Sequence, residues 1–264
     1  MQQCLAMLRT LQERLMGIPQ ACRLANMTPL TGLRIEKAAS DCGFELTPVS
    51  QGDLFLTLRS AAFPESVRVT LAGESSFLLA SSATELLEGP DGVDVISVQG
   101  FAALYAALQR ASATARTLPN RIADKFRAET AKLPSSTEAE RLVVERVGQD
   151  LFRAELLEFW QGRCGVTGLA VPGLLRVSHI KPWAKCETDD ERLNVFNGLL
   201  LAPHVDALFD DGWISFSDDG ALLISPSLPD TARSQLGVSG NWRVDGLRMA
   251  HAPYLAFHRQ HELR

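Results

Sequence analysis

The sequence predicts an α+β protein of two modules, and three observations lead there. Short apolar runs with strand character and amphipathic helical stretches both occur, separated by turns rich in Gly, Pro and Asp. All five histidines (His179, His204, His251, His258, His261) and all four tryptophans (Trp160, Trp183, Trp213, Trp242) lie beyond residue 159. A basic stretch at 110–132 ends at Leu133-Pro134-Ser135-Ser136, which places the boundary near 134. The 264 residues suit one large domain or two small ones. We therefore divide the chain into an α+β domain at 1–134 and a second domain at 135–264.

Composition excludes several classes. Hydrophobic residues make up 46% and charged residues 22%, which is ordinary for a folded chain and unlike a disordered or fibrous one. No apolar run reaches the ~20 residues needed to span a bilayer, and the start lacks a basic segment before an apolar core, so neither a membrane span nor a secretory signal is expected. Five cysteines, never in a Cys-x-x-Cys pair, argue against a disulfide framework or a zinc ribbon and point to a reducing cytoplasm. The net charge of −5 comes entirely from residues 135–264, and it disfavours coating nucleic acid by bulk charge while leaving room for a local cationic track.

In order along the chain, Leu5, Leu8, Leu11 and Leu15 recur at helical spacing over 2–16, and Pro19 and the 28–32 stretch interrupt that helix. A short helix follows at 33–42, closed by Gly43. Runs at 44–49, 54–58, 67–71, 77–80 and 93–98 read as strands, with a turn at Gly89-Pro90-Asp91-Gly92, and 101–112 reads as a helix. This front region holds no chemical motif. Residues 110–132 carry a local excess of four positive charges, and two readings stay open: a solvated connector helix, or a segment tracking phosphates through residues such as Arg121 and Lys125. Ser135 and Glu138 form a capping box for a helix over 137–161, whose apolar stripe runs from Leu142 and Val143 to Phe159 and Trp160, with a kink allowed at Gly148.

The chemistry gathers next. An apolar strand ends in Ser178-His179-Ile180-Lys181-Pro182-Trp183, so His179 sits where a strand opens into a loop. A second strand is entered through Asn197-Gly198, and Pro203 starts a short helix on which Asp206 and Asp210, four residues apart, share a face. Hydrolysis of a phosphodiester asks for such parts: an imidazole to take a proton from water, an amide to tie the loop, and carboxylates for a hard cation. Trp213 to Ser225 reads as a bracing hairpin turning at Asp218-Asp219-Gly220.

Residues 152–226 resemble the HNH endonucleases, through Arg163-Cys164-x-Val166-Thr167-Gly168, Ser178 to Trp183, Asn197 to Leu201 and Leu208-Phe209-Asp210. The resemblance implies a ββα-metal finger, DNA cleavage to 5′-phosphate and 3′-hydroxyl ends, His179 activating water, Asn197 orienting the loop, and one divalent ion at the finger helix. That ion would be Mg²⁺ or Mn²⁺, with Ni²⁺ or Zn²⁺ serving in vitro. His204, Asp206 and Asp210 are the candidate ligands, with His204 also a candidate catalytic group, and Arg176 and Lys181 are candidate phosphate contacts beside Arg121 and Lys125. Three departures qualify it. Ser178 stands where many relatives carry an Asp or His ligand and is read as bonding only locally. Cys164-x-x-Thr167 and Ala202-x-x-Val205 stand where many relatives carry Cys-x-x-Cys pairs, so no structural zinc is expected. Asp206 stands where many carry a His or Asn.

For each singled-out residue a purely structural role stays open. Trp160 and Trp183 read as packing residues, Cys164 and Cys186 as buried or incidental thiols, and His251, His258 and His261 as a solvated or partly packed helix face. The function expected is a metal-dependent endonuclease acting on DNA in restriction or phage defence, with a homodimer suiting double-strand cutting. Two alternatives are kept: a non-catalytic DNA-binding protein on an HNH scaffold, and an effector silent until a ligand or partner binds the front domain.

Overall fold

The computed structural model describes residues 27–51, 55–73, 75–87, 94–134 and 137–264. The expected helix at 2–16, the turn at 89–92 and the Ser135 end of the capping box lie outside the described residues. The chain divides into two compact units, the first ending at Ser112 and the second running from Ala113 to Arg264. Most of the basic stretch, expected as the tail of the front domain, therefore counts with the second unit.

The first unit is a helix-covered sheet. Helix α1 (Pro29–Asp41) opens four residues earlier than the spacing predicts, because Thr28 caps it by accepting the Thr31 N–H at 3.2 Å and Pro29 occupies the first turn. Strands β1 (Leu46–Gln51), β2 (Phe55–Arg59), β3 (Val67–Leu71), β4 (Ser76–Ser81) and β5 (Val95–Gln99) form an antiparallel sheet in sequence order. Val67, Val69 and Leu71 are buried while Arg68 and Thr70 between them are half-exposed, the alternation of a sheet covered on one side. The short helix α2 (Thr84–Leu87) packs on β4, and α3 (Gly100–Arg116) follows β5. Arg34 of α1 lies 3.8 Å over the Phe101 ring, and Tyr105 donates to Asp41 at 2.9 Å, so α1 and α3 lie side by side.

The second unit is built on α5. Helix α4 (Pro119–Thr130) packs against α5 (Glu138–Phe159). The apolar stripe of α5 is buried from Leu151 to Phe159 but not throughout, since Leu142 and Val143 near its start are exposed. The helix runs through Gly148 without interruption. A Cβ there would lie 2.8 Å from Trp183 Cη2, so this glycine makes room for the indole.

On this base lie β6 (Arg176–His179), α6 (Asp189–Arg192), β7 (Gly198–Leu201) and α7 (Pro203–Asp210). Strands β6 and β7 pair antiparallel, with His179 opposite Gly198. The expected hairpin forms from β8 (Ile214–Phe216) and β9 (Leu222–Ile224). After α8 (Asp230–Gln235), α9 (Ala252–His261) packs on β8. His251 and His258 are not on a solvated face: they are 0% and 2% exposed, His251 among Phe159, Trp160 and Phe196, and His258 stacked on Phe209 at 3.9 Å. His261 is exposed.

Candidate active site

His179 is placed by packing from three sides. Gly198 lets β7 lie on α5, since a Cβ there would fall 2.5 Å from Leu156 Cδ1 and 2.7 Å from Phe152 Cζ. The same Phe152 ring stacks on the imidazole at 4.1 Å, and Trp183 meets its edge at 5.5 Å. From below, α5 holds the entry to β6 through Arg153, which donates to the Pro172 and Leu175 carbonyls.

One ring nitrogen is committed. His179 Nε2 lies 2.9 Å from the Arg192 carbonyl oxygen. A carbonyl only accepts, so Nε2 carries the proton and the neutral ring keeps its lone pair on Nδ1. Burial against Phe152 and Trp183 lowers the imidazole pKa, with the Arg192 bond a smaller opposing effect. The ring is therefore neutral at pH 7, with Nδ1 as its basic atom.

Asn197 holds the loop that carries this arrangement. Its Oδ1 accepts the Lys181 N–H at 2.7 Å, and its Nδ2 donates to the Lys181 carbonyl at 3.1 Å and the Glu191 carbonyl at 3.3 Å. The side chain is wholly buried, and its amide is spent on backbone and on the Cys186 sulfur, 3.4 Å from Nδ2. Asn197 thus sits where a residue that orients the loop would sit, bonded to both of its ends.

The finger helix α7 lies against β6, and Ser178 Oγ donates to Asp206 Oδ1. Ser178 therefore bonds across the fold, not locally. Asp206 and Asp210 are near enough that Asp206 helps raise the Asp210 pKa, after partial desolvation and ahead of Asp211. His204 instead sets its ring against Trp242 at 5.7 Å. Among the described residues no three His, Cys, Asp or Glu side chains come together as metal ligands, so the expected set of His204, Asp206 and Asp210 is not assembled. The oxygens of Asp206 and Asp210 fit a hard cation that takes its remaining ligands from water and phosphate; they do not fit a cage built from protein alone.

The cationic candidates separate. Arg176 at the start of β6 is exposed and makes no ion pair among the described residues. Lys181 is paired with Glu191 at 2.6 Å, both side chains partly buried. Lys125 reaches Glu155 of α5 at 3.7 Å, and Arg121 is half-buried on α4. Sequence reasoning missed Arg192, whose carbonyl meets His179 Nε2, and Phe152, whose ring stacks on the imidazole; only Phe152, on the apolar stripe of α5, left a signal there. It also missed what Cys164 does: its sulfur accepts the N–H groups of Val166, Thr167 and Ala202, tying the 164–168 turn to the end of β7.

Residues 164–217, which contain β6, the loop, β7 and α7, match the family model described as HNH endonuclease. No curated protein matches the chain. The C-terminal half thus carries an HNH domain, which points to a nuclease-type function with DNA as substrate.

Proposed function

With an HNH domain in the C-terminal half as premise, we propose that this protein is a metal-dependent endonuclease that hydrolyses DNA phosphodiester bonds with His179 as general base. The observation that carries the reading is the hydrogen bond from His179 Nε2 to the Arg192 carbonyl, which leaves Nδ1 of a neutral ring to accept a proton. Water deprotonated at Nδ1 attacks phosphorus, and the strand opens to a 5′-phosphate and a 3′-hydroxyl. Arg176, exposed at the start of β6, contacts backbone phosphate. A divalent ion, Mg²⁺ or Mn²⁺, held through Asp206 and Asp210 would supply positive charge where the leaving oxygen becomes negative. The front unit selects the target or gates the cut, as restriction or phage defence would require.

A second reading has its own observation. Ser178 and Asp206 satisfy each other, and no three-ligand group assembles among the described residues. A DNA-binding protein on this scaffold, without cleavage, would look the same.

Supercoiled-plasmid nicking by the full chain separates the two, with Mg²⁺, Mn²⁺ or EDTA. The nuclease reading expects nicking with metal, none with EDTA, and a loss of about 10²–10⁴-fold in His179→Ala, the range for removing a general base. Metal-dependent DNA binding without a broken strand supports the second reading. Nicking that survives His179→Ala removes His179 from its role.

A further inference from the structure

The Arg192 carbonyl is only as well placed as the turn that carries it. That turn is α6, four residues long and opened by the exposed Asp189 and Asp190. So short a helix does not hold itself, and its neighbours brace it. Asn197 Nδ2 holds the Glu191 carbonyl, and the Arg192 guanidinium donates to the carbonyls of Trp183 at 3.4 Å and Cys186 at 2.6 Å.

The remaining brace is ionic. Lys181 Nζ lies 2.6 Å from Glu191 Oε1, while Glu191 Oε2 accepts the Glu187 N–H at 2.8 Å. The two side chains are 14% and 23% exposed, and the ammonium also lies 5.2 Å from the centre of the Phe257 ring. Lys181 follows β6 by two residues and Glu191 precedes Arg192 by one. The pair therefore joins the strand that ends in His179 to the turn whose carbonyl accepts its Nε2–H bond.

We propose that the Lys181–Glu191 ion pair is a positioning device that fixes the tautomer of His179: by pinning α6 it keeps the Arg192 carbonyl on Nε2–H and the lone pair on Nδ1. The catalytic part of this inference rests on His179 being the base. The tautomer itself does not. A partly buried ion pair contributes little to stability on average, so its worth is better sought in geometry, and one net hydrogen bond biases a two-tautomer equilibrium about two- to tenfold.

The test reads the tautomer directly. The full chain is labelled with ¹⁵N-histidine and long-range ¹H–¹⁵N spectra are recorded near pH 7.5, above the ordinary imidazole pKa of ~6.5. His179 signals are assigned by their loss in His179→Ala. The wild type is expected to show a protonated Nε2 and an unprotonated Nδ1. In Lys181→Met the two shifts should move towards each other by at least a twofold fall in tautomer ratio, and in Glu191→Gln they should move the same way by less. The His258 signals, from a buried ring in the same unit, report whether each variant is folded. Should Lys181→Met fail to fold, Glu191→Gln carries the test alone, since its amide keeps a hydrogen bond to Lys181. Folded variants with His179 nitrogens at their wild-type positions would overturn the proposal. Plasmid nicking is followed separately: a tautomer that responds in a chain that never nicks DNA keeps the positioning pair and removes the nuclease reading.

Discussion

A single missing side chain does much of the placing around His179. Gly198 faces that residue across the β6–β7 pair, and its absent Cβ is filled by Leu156 and Phe152, both fully buried. Gly198→Ala would put a methyl inside contact distance of two side chains that have nowhere to go. Overpacking of this kind costs about 1–3 kcal/mol, to be read as a shift in the urea midpoint at constant slope. Phe152 is also the ring stacked on His179, so the same substitution should slow nicking by more than the stability loss explains. A variant that is destabilised yet nicks at the wild-type rate would show that the stack does not hold the imidazole. Gly148 acts in the same manner at a greater distance, by leaving space for Trp183 at the imidazole edge.

The loop from Ile180 to Arg192 is too irregular to hold itself by backbone bonds alone, and Asn197 supplies the missing partners. Its amide both accepts and donates, which makes it more than a spacer of the right volume. Asn197→Asp keeps the shape and the acceptor but turns an oxygen towards the Lys181 and Glu191 carbonyls in place of two N–H groups. Asn197→Ala should cost about 2–3 kcal/mol for the stranded polar groups, and Asn197→Asp at least as much, because a buried carboxylate is left facing two acceptors. Chemical denaturation of the pair checks this, and an Asp variant as stable as the wild type would mean the donors are unused. Much of this element was legible from sequence. His179, Asn197 and the α7 carboxylates lie in short contiguous runs whose residue types carry their own chemistry. Arg192 was not legible, because it contributes a carbonyl that every residue possesses. Glu191 was hidden in an acidic surface run, and a lysine in the Ser178–Trp183 run does not announce that its ion-pair partner lies ten residues on. His251 and His258 were read incompletely for a related reason: their spacing suits a solvated or partly packed helix face, and only the tertiary packing shows that they are core. At Gly148 the sequence does not show that the space of the missing side chain is used by another segment.

At the scale of the whole molecule, titration should separate the two units. Every histidine lies in the second unit, and three of them have lowered pKa values from burial: His258 at about 4, His251 at about 3, and His179 in the same direction. In the unfolded chain these rings titrate near ~6.5. Below that pH the unfolded state binds protons that the folded state refuses, so stability is full above ~6.5 and falls as pH drops towards about 4, where the His258 contribution is exhausted. Each such proton weakens the fold by about 1.4 kcal/mol per pH unit. Glu155 and Asp210 work in the opposite sense, since burial raises their pKa values, but their gain begins only as carboxylates start to titrate. Between about pH 6.5 and 5.5 the histidines therefore act almost alone. The first unit has no histidine, and its Asp41, held low by Lys37, changes nothing in that window. Calorimetry of the full chain should accordingly show the transition of the 113–264 unit moving to lower temperature over this interval while that of the first unit stays in place. Residue-specific hydrogen exchange assigns each transition to its unit. Equal shifts in both would mean that the units unfold as one cooperative body; no shift in either would mean that His251 and His258 are protonated within the fold, contrary to their burial.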